Sequence, residues 1–346
     1  MKGSLAERAW TRATRAPALS RRNFVIGVGA TLLTACDLLP QARRPSHLPR
    51  VGHLSVNPLQ TNESGWQGFL EGLRDAGWVD GRNVAVEWRD ADGVAERLPA
   101  LATELARLPV DVIVTGTVAG VQAATQASNT IPVVMMAVSD PVGSGLVPSL
   151  ARPGNRVTGT ASLAPQLTGK RIEFLSVALP GVSRAAILWN PTNPAEATAF
   201  AEAQMAASVV GIQLQSVEMR VAEDMSRAFD AISRGRGEAV IDGGGPLLAN
   251  NRKRVLDFAA AQKLPVVGRG RPWVEDGALL SYGGNATDQW RRAASYVDRI
   301  LRGTRPANLP VDLPTTFELV INRRTAQTLG ITFGQSFLDQ VTEELR

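Results

Sequence analysis

The chain has 346 residues, with 37 Lys and Arg against 32 Asp and Glu, two His and one Cys. That length suggests two domains, each large enough to bury its own core, and 44% hydrophobic with 20% charged residues excludes disorder, collagen and multi-span membrane classes. One cysteine excludes an internal disulfide and a Cys-based zinc or iron–sulfur site, and two histidines leave little for His-rich metal or triad chemistry.

The net charge of +5 sits at the front of the chain. Residues 1–35 carry six basic side chains against Glu7 alone, and the remaining 311 residues balance at zero. Phe24 to Ala35 is a run of twelve residues without a charge. It is too short to span ~30 Å of hydrocarbon as a helix, but it suits the apolar core of a signal peptide. Leu33-Thr34-Ala35-Cys36 resembles the lipobox of bacterial lipoproteins, in which small residues admit signal peptidase II and the thiol takes a diacylglycerol. Ser20-Arg21-Arg22-Asn23-Phe24-Val25 resembles a twin-arginine export motif, with Ile26 departing from the Lys common there. Other arginine pairs occur at Arg43-Arg44, Arg291-Arg292 and Arg323-Arg324, so general export stays open beside the twin-arginine route. Residues 1–35 are expected to be a lipoprotein signal peptide. Residues 36–49, with three prolines after Leu38 and no periodicity, are expected to form a tether. The mature chain would then be extracytoplasmic and held to a membrane through a lipid on Cys36. Because the basic excess leaves with the signal segment, nucleic acid is not expected as a partner.

From Arg50 short apolar runs alternate with stretches of helical period. Val51–Val56 reads as a strand ending at Asn57-Pro58. Residues 62–77 place Trp66, Phe69, Leu70 and Leu73 on one helical face, with Gly77 as a stop. Asn83–Arg89 alternates at period two. Arg97–Leu108 reads as a helix, Val110–Val114 as a buried strand ending at Thr115-Gly116-Thr117, Val118–Ala127 as a helix, and Ile131–Val138 as a strand ending at Ser139-Asp140. A second series follows, with helices at Lys170–Leu179, Ala195–Val210, Met225–Arg234, Asn250–Gln262 and Thr287–Arg302. Its strands are Ala185–Trp189, Gln213–Val217, Ala239–Ile241, Pro265–Val267 and Leu279–Tyr282. Leu309–Val320 reads as extended, with a helix from Arg323. Strands alternating with helices predict an α/β chain of parallel sheets covered on both faces. Each series opens with an apolar strand that ends in Asn-Pro, which suggests two similar lobes.

Several segments then carry a family resemblance in their order along about 280 residues. They include Phe69-Leu-Glu-Gly-Leu-Arg-Asp-Ala-Gly-Trp-Val-Asp-Gly-Arg-Asn-Val84, Asp111–Thr117, Ser139–Leu146, Ser149–Gly159, Lys170-Arg171, Ser281–Gly283, Arg291–Gly303, Leu309-Pro-Val311 and Asn322–Gly330. This pattern resembles the substrate-binding proteins of ABC transporters in the type I periplasmic-binding class, within the group that includes tryptophan- and tyrosine-type binding proteins. The tail from Ile331 departs from the pattern, because it lacks the prolines expected there. The resemblance implies two Rossmann-like lobes joined by a three-crossing hinge, with a small-molecule ligand held between them and presented to an ABC permease and its ATPase. Lobe one would take 50–163 plus 285–308, and lobe two 164–284 plus 309–346. The crossings would lie near Thr160–Pro165, Gly283–Asn285 and Asn308–Val311.

In open parallel sheets ligands bind outside the carboxyl ends of the strands, where helix N-termini favour anions. The candidate ligand-binding residues are therefore Asn57, Thr117, Ser139, Asp140, Asn190, Asp242 and Tyr282, with Arg269 and Trp189 nearby. They match a zwitterion, an amino acid or related carboxylate. Thr117, at a helix start, is placed to donate to a carboxylate. Asp140 or Asp242 could take an ammonium, and Tyr282 or Trp189 could stack on an apolar part. Each also has a structural alternative. Ser139-Asp140-Pro141 suits a turn, Trp189 suits a core, Asp242–Gly245 suits a flexible loop, and Arg269 could pair with an acid of its own lobe.

Catalytic motifs are missing from the sequence. Gly27-Val-Gly29 lies in the signal segment, Gly243–Gly245 lacks the G-x-G-x-x-G spacing, and Gly169-Lys170-Arg171 lacks the frame of a P-loop. No G-x-S-x-G or H-E-x-x-H occurs, and His53, inside a strand, reads as a packed side chain. No enzyme activity, cofactor or metal is expected. A periplasmic ligand-sensing module feeding a membrane signalling protein shares the expected fold and stays as the alternative to transport, with a Rossmann-fold enzyme behind it.

Overall fold

The computed structural model describes residues 47–58 and 63–346. The expected signal peptide with Arg21 and Arg22, the expected lipidation site Cys36 and most of the expected tether lie outside the described residues.

The first series builds a five-stranded sheet. Its elements are β1 (Arg50–Ser55), α1 (Glu63–Asp75), β2 (Ala85–Asp90), α2 (Leu98–Arg107), β3 (Val112–Thr115), α3 (Val118–Ala127), β4 (Val133–Ser139) and β5 (Val157–Ser162). The strand order is β2-β1-β3-β4-β5 and every pairing is parallel. Helical crossovers join the first four strands, and a loop without a helix carries the chain from β4 to β5. β5 has no counterpart among the sequence expectations, and its composition explains why. Val157-Thr-Gly-Thr-Ala-Ser162 holds only one large apolar side chain, and a Cβ at Gly159 would run into the Met135 backbone of β4. The strand pairs through close backbone approach rather than through an apolar run.

The second series forms seven strands in the order β12-β11-β10-β9-β8-β6-β7. In chain order come α4 (Leu167–Ala178), β6 (Arg184–Trp189), α5 (Pro194–Val210), β7 (Gln213–Glu218), α6 (Met225–Arg234), β8 (Ala239–Asp242), α7 (Gly245–Asn250), α8 (Arg252–Ala261), β9 (Val266–Gly268), α9 (Arg271–Glu275) and β10 (Leu280–Gly284). They are followed by α10 (Ala286–Leu301), β11 (Phe317–Asn322), α11 (Arg323–Thr328), α12 (Gln335–Leu338) and β12 (Glu343–Leu345). The expectation of parallel sheets needs one correction, since β10 and β11 pair antiparallel, from Leu280 opposite Ile321 to Gly284 opposite Phe317. The chain leaves this sheet after β10 and re-enters it from the same end, which reverses the strand direction.

α10 does not cover the sheet that precedes it in the chain. It packs on the first sheet, where Trp290, Ala293, Ala294 and Val297 share a core with Val51, Val112, Val114, Trp66, Phe69 and Leu73. Trp66, Phe69 and Leu73 recur at helical spacing on α1 and are each at most 2% exposed. Burial of each contributes about 1.5–3 kcal/mol. Gly68 and Gly72 let the two helices touch backbone to backbone, because a Cβ at Gly72 would collide with the Arg291 carbonyl and one at Gly68 with that of Thr287.

The chain passes between the sheets three times. The first passage follows Ser162, and the second lies at Asn285. The third falls later than the sequence suggests. Residues 309–313, expected in lobe two, run along the first sheet: Val311 N donates to Leu150 O at 2.7 Å, Asp312 N to Gly159 O at 2.9 Å, and Ala161 N to Asp312 O at 2.8 Å. Leu309, Val311 and Leu313 are apolar and pack into that sheet's cores, which holds the segment there until Pro314. Among the described residues no helix is long and apolar enough to cross a membrane.

Replacing Gly72 by Ala should force α1 and α10 apart and cost about 1–3 kcal/mol, as overpacking does. Urea unfolding of the variant should show a lower midpoint with an unchanged slope.

Candidate functional site

The carboxyl ends of β1 and β3 enclose a cavity of about 90 Å³. His53, Ser55 and Asn57 line it from the first strand and the turn after it, Gly116 and Thr117 from the β3–α3 turn, and Trp290 from the first turns of α10. Two of the expected ligand residues, Asn57 and Thr117, thus come together here.

Thr117 caps α3 in extended backbone, and its Oγ1 accepts from Gly120 N at 3.0 Å. The hydroxyl proton has no acceptor among the described residues. The amides of Val118 and Ala119 have no partner inside the helix, since the first turn of any helix leaves its N–H groups open. The cavity therefore has a donor-rich, partly positive corner.

The opposite corner is aromatic and accepting. His53 is 3% exposed, with its ring 4.5 Å from Trp88, 5.0 Å from Trp66 and 6.4 Å from Trp290. Burial among these rings holds its imidazole down to about 3, so it is neutral at physiological pH. Its Nδ1 and the Oδ1 of Asn57 are both buried without a hydrogen-bond partner. The sequence reading of His53 as a packed side chain holds for its burial, but the ring also forms part of the cavity wall.

Ser139 and Asp140 lie on the same sheet edge, outside the cavity lining. The Ser139 hydroxyl is 3.0 Å from that of Ser162 on β5. Asp140, at φ 41°, accepts from Gly143 N at 2.9 Å and closes the turn after β4. Just before it β4 is bulged, with Ala137 at φ 56° and its N–H donating to Thr160 Oγ1 at 2.9 Å. Bulges of this kind turn strand ends toward binding sites.

Asn190, Asp242 and Tyr282 stand at the corresponding edge of the second sheet, where most polar groups already have partners. Asn190 Oδ1 accepts from the Thr192 amide at 2.9 Å, and its own amide donates to Glu196 Oε2 at 2.7 Å. Asp242, 1% exposed, accepts from Arg269 Nε and from Gly244 N, each at 2.9 Å. Arg269 also donates to Gly245 O at 3.3 Å. Tyr282 sets its ring 4.9 Å from Phe174. Trp189 stacks on Phe200 at 4.5 Å and donates to Ser216 Oγ at 2.8 Å. The Asp242–Gly245 stretch leads directly into α7.

Two charged groups behind this wall had no role assigned from the sequence, although Lys170-Arg171 forms part of the family pattern. Glu196, 3% exposed, accepts from Asn190 N and from Asn193 Nδ2, and burial raises its carboxyl above the usual range. Arg171, 1% exposed, donates from Nε to Tyr282 O at 2.8 Å and from Nη1 to Thr168 Oγ1 at 3.0 Å and Ala164 O at 3.2 Å. Burial pushes its guanidinium down to about 9, with Asp242 acting the other way, so it stays charged. Spacing shows neither role, because an Arg or Glu in a helix normally reads as a solvated face. A larger hollow of about 250 Å³ lies at the other end of the second sheet, along β7. Its one cation, Arg184, already pairs with Glu238 at 2.8 Å, and the strand ends that favour ligands are on the far side. Among the described residues no group of three or more His, Cys, Asp and Glu could hold a metal ion.

Neutral when folded and protonated near 6.5 when unfolded, His53 makes acid favour the unfolded chain. Its contribution is complete above pH 6.5 and falls by about 1.4 kcal/mol per pH unit as pH drops toward 3. Stability measured by urea unfolding between pH 6.5 and 5 should lose this slope in His53→Gln.

The model of a family described as ABC transporter substrate binding protein matches residues 60–344. A tyrosine-binding protein of Clostridioides difficile is 23% identical over 265 residues, 77% of this chain and 76% of that protein. A solved conserved domain protein from Vibrio cholerae is 28% identical, with a TM-score of 0.79 over 86% of this chain and all of that one. An ABC domain from Streptococcus pneumonia, solved in complex with L-Trp, is 22% identical with a TM-score of 0.80 over the same shares.

Proposed function

The chain belongs to the ABC transporter substrate-binding protein family, and we propose that the solute it carries is an amino acid or related carboxylate, gripped between two lobes. Members of this family are extracytoplasmic, non-catalytic solute-binding components of import systems, which deliver their ligand to a permease and its ATPase.

The observation that carries the amino-acid reading is the open N-terminus of α3 inside the first-sheet cavity. A carboxylate there would take the Thr117 hydroxyl and the first amides of the helix, charge-assisted bonds in a partly positive field. The neighbouring Trp290 and the neutral His53 suit an uncharged or apolar part of the same molecule. A cavity of 90 Å³ holds only one end of a ligand, since pockets for whole small molecules run to about 300–1,000 Å³. The other end would meet the second-sheet edge at Asn190, Asp242 and Tyr282. Relatives described as tyrosine-binding and as solved with L-Trp lend weight to an amino acid.

In this reading lobe one comprises 50–163 with 285–313, and lobe two 164–284 with 314–346. The lobes close on the ligand about the three passages, and the closed form is the one a permease would recognise. The mature chain begins at Cys36 and is tied to the membrane by a lipid on its thiol.

Aromatic and branched amino acids should raise the melting temperature saturably. Thr117→Val should weaken the best of them by about 1.5–3 kcal/mol, the size of a hydrogen bond to a charged group, or roughly tenfold or more in Kd, while Thr117→Ser should retain affinity. Isothermal calorimetry showing equal binding by Thr117→Val would remove the carboxylate site from α3. For the anchor, Cys36→Ala should move the protein from the membrane to the soluble extracytoplasmic fraction, and a membrane-bound variant would refute lipidation at Cys36.

A further inference from the structure

We propose that Asp90 receives the ligand's ammonium group on the lobe-one side of the cleft, and so sets a preference for amine-bearing over desamino carboxylates. This rests on the amino-acid reading above and deepens it.

Asp90 is the last residue of β2 and pairs in register with Ser55 of β1, as Trp88 pairs with His53. Side chains alternate along a strand, so Asp90 projects from the same sheet face as Trp88. The Trp88 ring lies 4.5 Å from His53 and 4.0 Å from Trp66. Asp90 therefore stands one strand away from the cavity-lining Ser55, at the edge where ligands bind. The loop that follows reaches the other lobe, since a Cβ on Gly93 would lie 3.8 Å from Asn250 Nδ2 of α7.

The carboxylate has no cation of its own among the described residues. Asp90 Oδ1 is buried without a hydrogen-bond partner. The adjacent guanidiniums are committed elsewhere: Arg89 to Glu104 at 2.9 Å and to the Trp88 carbonyl, and Arg97 to Asp92 and the Ala91 carbonyl. Burial, with the Asp92 charge adding to it, raises the Asp90 carboxyl above its ordinary range. The expected ammonium acceptors are less available. Asp242 already holds Arg269, and Asp140 accepts from Gly143 N.

Two further unpaired polar groups lie on the neighbouring strand β1 and the turn that follows it. Asn57 and His53 both line the cavity, and Asn57 Oδ1 and His53 Nδ1 are buried without a hydrogen-bond partner. A primary ammonium brings three donors and a positive charge, which suits the unpaired carboxylate oxygen of Asp90 and the unpaired amide oxygen of Asn57. A carboxylate or a neutral sugar brings no cation to Asp90. The sheet order places Asp90, Asn57 and Thr117 on the neighbouring strands β2, β1 and β3. Strands lie about 4.8 Å apart, so the backbones of β2 and β3, two steps apart in the sheet, are separated by roughly 10 Å, a gap that a ligand bonded from both sides would bridge.

The experiment is calorimetry on the purified protein and on Asp90→Asn with L-tyrosine, L-tryptophan and L-leucine. Their desamino counterparts, 3-(4-hydroxyphenyl)propionate, indole-3-propionate and 4-methylpentanoate, are titrated alongside. The wild type should prefer an amino acid over its desamino acid by about 10–100-fold, and Asp90→Asn should abolish that preference by weakening the amino acid alone. The ligand-free variant should melt at the same or a higher temperature, because a partly buried charge without a counterion has been removed. Preserved preference in a folded Asp90→Asn, or equal weakening of both ligand series, overturns the assignment of Asp90 while leaving an amino-acid ligand in place. Wild-type binding that ignores the amino group, or binding of none of the amino acids, overturns the amino-acid reading and this proposal together.

Discussion

A guanidinium with 1% of its surface exposed needs acceptors inside the protein, and Arg171 finds them in the chain that joins the two sheets. Its Nη1 holds Ala164 O in the first passage and its Nε holds Tyr282 O at the end of β10, just before the second. The third passage runs beside them, with Asn285 N donating to Thr316 O and Asn285 Nδ2 donating to Glu318 Oε1 at 2.6 Å. Taking a charge out of water is expensive unless it is hydrogen-bonded in place, so these strands cannot drift apart without exposing or orphaning Arg171.

The two walls differ in how far their polar groups are satisfied. On the second sheet Asp242, Arg269, Glu196 and Asn190 form a bonded set that includes one buried ion pair. On the first, His53, Asn57 and Asp90 keep buried atoms without partners, and the start of α3 keeps its donors open. Unsatisfied buried groups cost stability, and a ligand that satisfies them recovers that cost as affinity. The second-sheet side is not fully satisfied either, since Arg171 Nη2 and Ser281 Oγ are buried there without a partner.

Much of the architecture was legible because local patterns report burial. Trp66, Phe69 and Leu73 announced α1, Val118–Ala127 was read with its observed bounds, and the strand-end positions Asn57 and Thr117 fell in one cavity. The elements that escaped lack such a pattern. β5 is built on a glycine contact, β12 is the edge strand Glu343-Glu344-Leu345, and α7, α9 and α12 have six residues or fewer, too few to show a period. The partners of Asp90 and Arg171 also escaped, since each depends on groups far away in the chain.

The single cysteine and the front-loaded charge belong to the sequence alone, as does the alternation of strand and helix, because each depends on residue type and spacing along the chain. Tertiary structure decided the rest. It kept residues 309–313 on the first sheet before the last crossing and turned β11 against β10, whereas the return of 286–301 to lobe one was already implied by the family resemblance. It also decided which acids are already paired, as Asp242 is with Arg269, and which are not, as with Asp90 Oδ1. These outcomes depend on contacts between segments distant in sequence, and on the burial that makes an unpaired charge costly.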